Sequence, residues 1–140
     1  MIKITKDDFS VDEVLNEIRS NGMGCVVTFV GVVRDNSKGR PVERIEIQVY
    51  EEMALKQLQA IREEAIDKFS VDEIAILHRY GSLKVSDKIM MIAVGAGHRA
   101  EAFNACRYVI DTIKERVPIW KKEITPDGDF WVEEKRDERH

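Results

Sequence analysis

Cysteine is scarce in this 140-residue chain, which carries only Cys25 and Cys106. Two cysteines make no disulfide framework; they form no CxxC pair, and no histidine lies at zinc-finger spacing from them, so nothing supports a structural zinc or other metal site. Both sit among apolar neighbours and read as small core residues. No segment is apolar for long enough to span a membrane. The first residues, Met1-Ile2-Lys3-Ile4-Thr5-Lys6-Asp7-Asp8, lack the apolar core and small-residue cleavage site of a signal peptide, so a cytoplasmic protein is expected. Positive charge is not in excess: the net charge is -4, which argues against a general nucleic-acid binder. A negative sum still permits a local cationic pocket, because distribution decides binding more than the total does. Internal repeats and low-complexity tracts are absent.

What is present fits one domain of ordinary apolar content, 44%. Residues 2–5 read as a short strand. Asp7 or Ser10 is placed to cap a helix running to about residue 20, with Val11, Val14, Leu15 and Ile18 on one face. Asn21-Gly22-Met23-Gly24 breaks it. Residues 25–33 form a nearly continuous β-branched apolar run, the mark of a buried strand. Turn residues fill 35–41, and residues 44–50 alternate cleanly, so a hairpin between 25–33 and 43–50 is expected. The period then becomes helical, with Ala54, Leu58, Ile61, Ala65 and Phe69 on one stripe. Residues 73–80 and 88–94 read as strands joined through Gly81-Ser82 and Ser86-Asp87. A second long helix spans about 98–117 with Ala102, Ala105, Val109 and Ile113 as its stripe. A last hairpin, 119–124 with 130–132, turns at Pro126-Asp127-Gly128-Asp129. Hairpins among helices indicate an α+β fold with mostly antiparallel sheet. The domain is read as residues 1–133, and the charged tail 134–140 as mobile.

The chemistry-bearing residues concentrate between His98 and Glu123. His98 and Arg99 follow Val94-Gly95-Ala96-Gly97 at a helix start, where free N–H groups and the helix dipole favour anions and disfavour cations. An anionic ligand would explain two cationic side chains there; a solvated surface pair is the alternative. Arg34, after the first apolar strand, reads either as an exposed loop arginine or as a phosphate clamp. Lys114 in the last helical turn is ordinary dipole complementarity taken alone. His78-Arg79 lies within a strand and reads as structural. After Pro118, Lys121 and Lys122 stand in an extended segment and point to opposite faces, with Glu123 back on the face of Lys121.

Several motifs together resemble one family. They are Val26-Val27-Thr28-Phe29-Val30-Gly31-Val32-Val33-Arg34, Tyr50-Glu51-Glu52-Met53-Ala54, His78-Arg79-Tyr80-Gly81-Ser82-Leu83, Gly97-His98-Arg99-Ala100-Glu101-Ala102-Phe103, Pro118-Ile119-Trp120-Lys121-Lys122-Glu123, Asp127-Gly128 and Trp131-Val132-Glu133. In this order, over about residues 24–133, they resemble the large, catalytic subunit of molybdopterin synthase. The resemblance implies an α/β hammerhead fold with two long helices. It implies a sulfurtransferase that moves sulfur, twice, from the C-terminal thiocarboxylate of a small ubiquitin-like subunit ending in Gly-Gly onto cyclic pyranopterin monophosphate, giving the molybdopterin dithiolene. No cofactor is implied beyond that substrate and the partner's sulfur. The implied assembly is a homodimer within a heterotetramer. By position, the implied pocket residues are Arg34, His98, Arg99, Lys114 and Lys121, adjoined by Lys122 and Glu123, with Lys114 and Lys121 catalytic. Lys135 stands where some relatives carry arginine, and Val32 where some carry lysine.

Arg99 and Lys114 are fifteen residues apart on one helix, roughly 22 Å along its axis, too far to share one small substrate. The expectation is a pocket shared across a two-fold axis, with Arg34, Lys114 and Lys121 from one chain and His98 and Arg99 from its mate. A non-enzymatic phosphate- or nucleotide-sensing domain, or an interaction module for an acidic partner, is the alternative that fold alone leaves open.

Overall fold

The computed structural model describes residues 1–132, so Lys135, the tail 134–140 and the domain boundary at 133 lie outside the described residues. In chain order the elements are β1 (Ile2–Thr5), α1 (Val11–Ile18), β2 (Cys25–Val32), β3 (Asn36–Ser37), β4 (Arg40–Pro41), β5 (Arg44–Val49), α2 (Glu51–Phe69), β6 (Glu73–Arg79), β7 (Gly81–Lys84), β8 (Lys88–Ala96), α3 (Arg99–Arg116), β9 (Ile119–Thr125) and β10 (Gly128–Trp131). One sheet has the order β1-β6-β8-β2, with β1 parallel to β6 and the other pairs antiparallel. The other runs β10-β9-β5-β7, antiparallel throughout, while β3 and β4 form a separate two-stranded ladder. The α+β reading with mostly antiparallel sheet therefore holds, with a short helix beside the two long ones.

Helical spacing in the sequence becomes packing here. Ala54, Leu58, Ile61 and Ala65 of α2, and Ala102, Ala105, Val109 and Ile113 of α3, enter one core with Ile74, Ile76, Ile92 and Val94 of the first sheet. Ile45, Ile47 and Leu83 bring the second sheet into the same core. Alanines on the α3 stripe keep that helix close to β8 and β2, against which it packs. Leu58 and Ile61 are fully buried, each contributing about 1.5–3 kcal/mol of apolar transfer. The opposite face of the first sheet, through Ala75, Leu77, Met91 and Ala93, takes Val14 and Ile18 of α1. Ser10, not Asp7, caps α1: its Oγ accepts the Glu13 N–H at 3.2 Å.

Three expectations fail. The hairpin between residues 25–33 and 43–50 does not form: β2 pairs with β8, and β5 pairs with β9 and β7 in the other sheet. Nor is β2 fully buried. It is an edge strand, with Phe29 37% and Val32 48% exposed, whereas β8, flanked on both sides and covered on both faces, is the buried one. Between β6 and β8 the chain makes more than a turn, because Gly81–Lys84 crosses to the second sheet as β7.

Candidate functional site

The register of β2 on β8 fixes the two ends of the candidate site. Cys25 is opposite Ala96, and Val32 is opposite Lys88. The chain leaves Ala96 through Gly97, His98 takes extended backbone angles as the N-cap, and α3 starts at Arg99. His98 and Arg99 are exposed and, with Gly24, Cys25, Gly97 and Ala100, line an open depression. The His98 side chain makes no capping bond to the first turn of α3. The dipole of that turn is positive, so a cationic pair here is electrostatically unfavourable until an anion joins it.

Gly24 is the residue that this corner requires. Its N–H donates to Ala96 O at 2.9 Å, and a Cβ on it would stand 2.2 Å from the Gly97 carbonyl oxygen. Only glycine allows β2 to start so close to the backbone that presents His98. In the sequence, Gly24 reads as part of a helix break and Cys25 as core. Cys25 is instead half-buried, at the depression, its Sγ 3.7 Å from Ala96 O. The approach of Gly97 is made by tertiary pairing, and no local pattern announces it. Cys106 is the buried thiol expected, pushed up to about 11 by burial, so it is neutral and unreactive near pH 7.

The other cations lie at the far end. Arg34 is exposed, two residues beyond β2. The strand spans roughly 23 Å at about 3.3 Å per residue, so Arg34 and His98 sit at opposite ends of the sheet. The long helix α3 packs back along β8 and β2, which carries Lys114, exposed in its last turn, toward the end of Arg34. Pro118 O accepts the Tyr50 N–H at 3.2 Å, and β9 then pairs with β5. Lys121 stands opposite Ile47 and Glu123 opposite Ile45, so both share the face of the second sheet that meets the core. Lys122 stands opposite Glu46 on the other face. Its Nζ lies 4.0 Å from Glu46 Oε2 and 5.4 Å from the Trp131 ring centroid. Period two thus separates the double lysine as the sequence implied, and the contacts of Lys122 belong to the sheet surface. Among the described residues, the side chains of Arg34, His98, Arg99 and Lys114 make no hydrogen bond or ion pair, and no group of three His, Cys, Asp or Glu is placed to hold a metal.

His78 and Arg79 are structural. His78 is buried at 3% exposure, with Nδ1 2.8 Å from Arg79 O, and the Arg79 guanidinium donates to the carbonyls of Lys6 and Lys88.

Residues 4–116 match the family model described as MoaE protein. The molybdopterin synthase catalytic subunit of Pyrococcus abyssi is 42% identical over 127 residues, 91% of this chain and 86% of that protein. The crystal structure of molybdopterin synthase from Staphylococcus aureus superposes with a TM-score of 0.88 at 38% identity, covering 93% of this chain and 95% of that one. A chain of the complex of subunits 1 and 2 of molybdopterin-converting factor from Helicobacter pylori shares the fold, with a TM-score of 0.78 at 20% identity, over 96% of this chain and 91% of that one. With the family matched over most of its length and a relative this similar along nearly all of it, the chain belongs to the MoaE family of molybdopterin synthase catalytic subunits, enzymes of molybdenum cofactor biosynthesis.

Proposed function

We propose that this chain works in the cytoplasm as a sulfurtransferase. It would direct sulfur from the C-terminal thiocarboxylate of a small ubiquitin-like subunit ending in Gly-Gly onto cyclic pyranopterin monophosphate. Two transfers make the dithiolene. The partner brings the sulfur, so no cysteine nucleophile is needed, which accords with the buried, neutral Cys106. The H. pylori neighbour, a complex of two subunits, supports a small partner.

The observation that carries the reading is the division of the candidate residues between the two ends of β2 and α3. Arg34, Lys114 and Lys121 stand at one end; His98 and Arg99 stand at the other. A homodimer within a heterotetramer would complete each pocket, the His98 and Arg99 of one chain facing the Arg34, Lys114 and Lys121 of its mate. Arg34, His98 and Arg99 hold the substrate phosphate. Lys114 and Lys121 stabilise charge on the thiocarboxylate and on the tetrahedral adduct, or move a proton there; a unit charge about 4 Å away contributes roughly 4 kcal/mol at an effective dielectric near 20. Glu123, two residues along on the same face, orients Lys121.

The test combines the chain with a thiocarboxylated Gly-Gly partner and the pyranopterin and measures dithiolene formation. Lys121→Ala and Lys114→Ala are each expected to lower kcat by about 100-fold or more with assembly unchanged. Wild-type turnover in both variants would sink these roles.

A further inference from the structure

Arg34 opens a loop that belongs to neither large sheet. β3 and β4 pair only with each other, Asn36 opposite Pro41 and Ser37 opposite Arg40. The loop is closed by the Val42 N–H, which donates to Asp35 O at 2.8 Å, and by the Gly39 N–H, which donates to Asn36 Oδ1 at 3.2 Å. Its tip, Lys38 and Gly39, is exposed and takes positive φ angles of 52 and 80°.

The Arg40 side chain reaches from this hairpin to the second sheet. The Arg40 guanidinium carbon lies 3.8 Å from the centroid of the Phe130 ring, on β10. A guanidinium on an aromatic face is attracted to the ring's negative quadrupole and is held flat against it. Arg40 Nε is buried and has no hydrogen-bond partner, the one such side-chain atom among the described residues. A buried N–H without an acceptor is unfavourable, so the contact is a poor device for stability alone. Its placement makes sense as a fastening. Phe130 stands opposite Glu123 in the β9–β10 register, and Glu123 is two residues from Lys121 on the same face. The stack therefore joins the hairpin that follows Arg34 to the strands that carry Lys121 and Glu123.

We propose that Arg40, stacked on Phe130, is a positioning residue that holds the Arg34 loop against the β9–β10 hairpin, so that Arg34 and Lys121 meet the same anionic substrate; this rests on the function proposed above. The two cations are on separate supports, a strand-end loop and a paired strand. Without a fastening, each substrate encounter must order the loop before Arg34 can engage.

The test uses the assembled enzyme carrying Arg40→Ala, Arg40→Lys, Phe130→Leu or Arg40→Ala with Phe130→Leu. Arg40→Ala is expected to raise KM for the pyranopterin about tenfold with kcat within about twofold. Arg40→Lys should recover only part of the loss, because an ammonium over the ring keeps the attraction but not the flat stack. The double variant should be no worse than either single one. Amide hydrogen exchange supplies a readout independent of turnover: the Val42 amide should exchange faster in Arg40→Ala, with the Ile92 amide in the core unchanged as the control for folding. A wild-type KM in Arg40→Ala, or single-variant effects that multiply, would overturn the proposal. Should the wild-type protein fail to convert the pyranopterin, the assigned function has failed, and unchanged Val42 exchange in Arg40→Ala would then overturn the fastening separately.

Discussion

Gly24 illustrates how one missing side chain builds a corner of the candidate site. Its backbone meets Ala96 O at 2.9 Å, and the space a Cβ would fill is already occupied by the Gly97 carbonyl 2.2 Å away. Backbone on both sides leaves no flexible atom to yield. Gly24→Ala must move Gly97, and with it His98 and Arg99. Its expected signature is a fall in kcat/KM of at least about tenfold together with a lowered Tm. Steady-state kinetics beside a thermal melt will check it; normal turnover in a folded Gly24→Ala protein would show that the corner tolerates displacement. Lys121 and Lys122 make the complementary point. Adjacent in sequence, they differ because a strand alternates: one stands with Ile47 on the core face, the other with Glu46 and Trp131 outside.

Between elements, α2 and β6 are joined by an ion pair that sets part of the acid response. Arg62 Nε donates to Ile74 O at 2.9 Å, and its guanidinium pairs with Glu73. Burial pushes the Glu73 carboxyl up. The Arg62 guanidinium and the Ile74 N–H outweigh that and leave it below its ordinary value. The folded state thus favours the ionised carboxylate. The stabilisation is present above the ordinary glutamate range and is lost as pH falls through the folded value. Arg62→Met is expected to cost about 1.5–3 kcal/mol near pH 7 and less at an acidic pH below the folded value of Glu73, where the carboxylate is lost. Urea melts at the two pH values measure the difference, and an equal loss at both would remove Glu73 from the account. How far the sequence speaks at this scale depends on range. The α2 and α3 stripes are legible because residues three and four apart are neighbours on any helix. The partners of β2 and β5 are not, because β8 and β9 lie far along the chain and alternation carries no address; nearness in sequence favoured a hairpin that the two sheets forbid. Gly24 and Cys25 stayed hidden for the same reason, since the Gly97 approach is made by β2–β8 pairing. That Arg34 follows a strand, and that His98, Arg99 and Lys114 stand at the two ends of a helix, is legible because local pattern does place element ends.

Across the whole molecule, β2 and α3 act as spacers. Each is rigid, each spans about 20 Å or more, and between them they keep His98 and Arg99 away from Arg34, Lys114 and Lys121. The proposed pocket, shared between mates of a dimer, makes this separation open to a genetic test. In His98→Ala every site lacks its histidine, and in Lys121→Ala every site lacks its lysine, so both proteins are expected to be inactive or nearly so. Mixing them in equal amounts under conditions that exchange subunits makes half the dimers mixed. In a mixed dimer one site joins the intact Lys121 of one chain to the intact His98 of the other, while the second site carries both lesions. Activity should therefore return to about a quarter of wild type, the share expected from two-fold geometry with random exchange. Were all five residues of a pocket to come from one chain, every chain in the mixture would keep a lesion in its own site, and exchange would restore nothing.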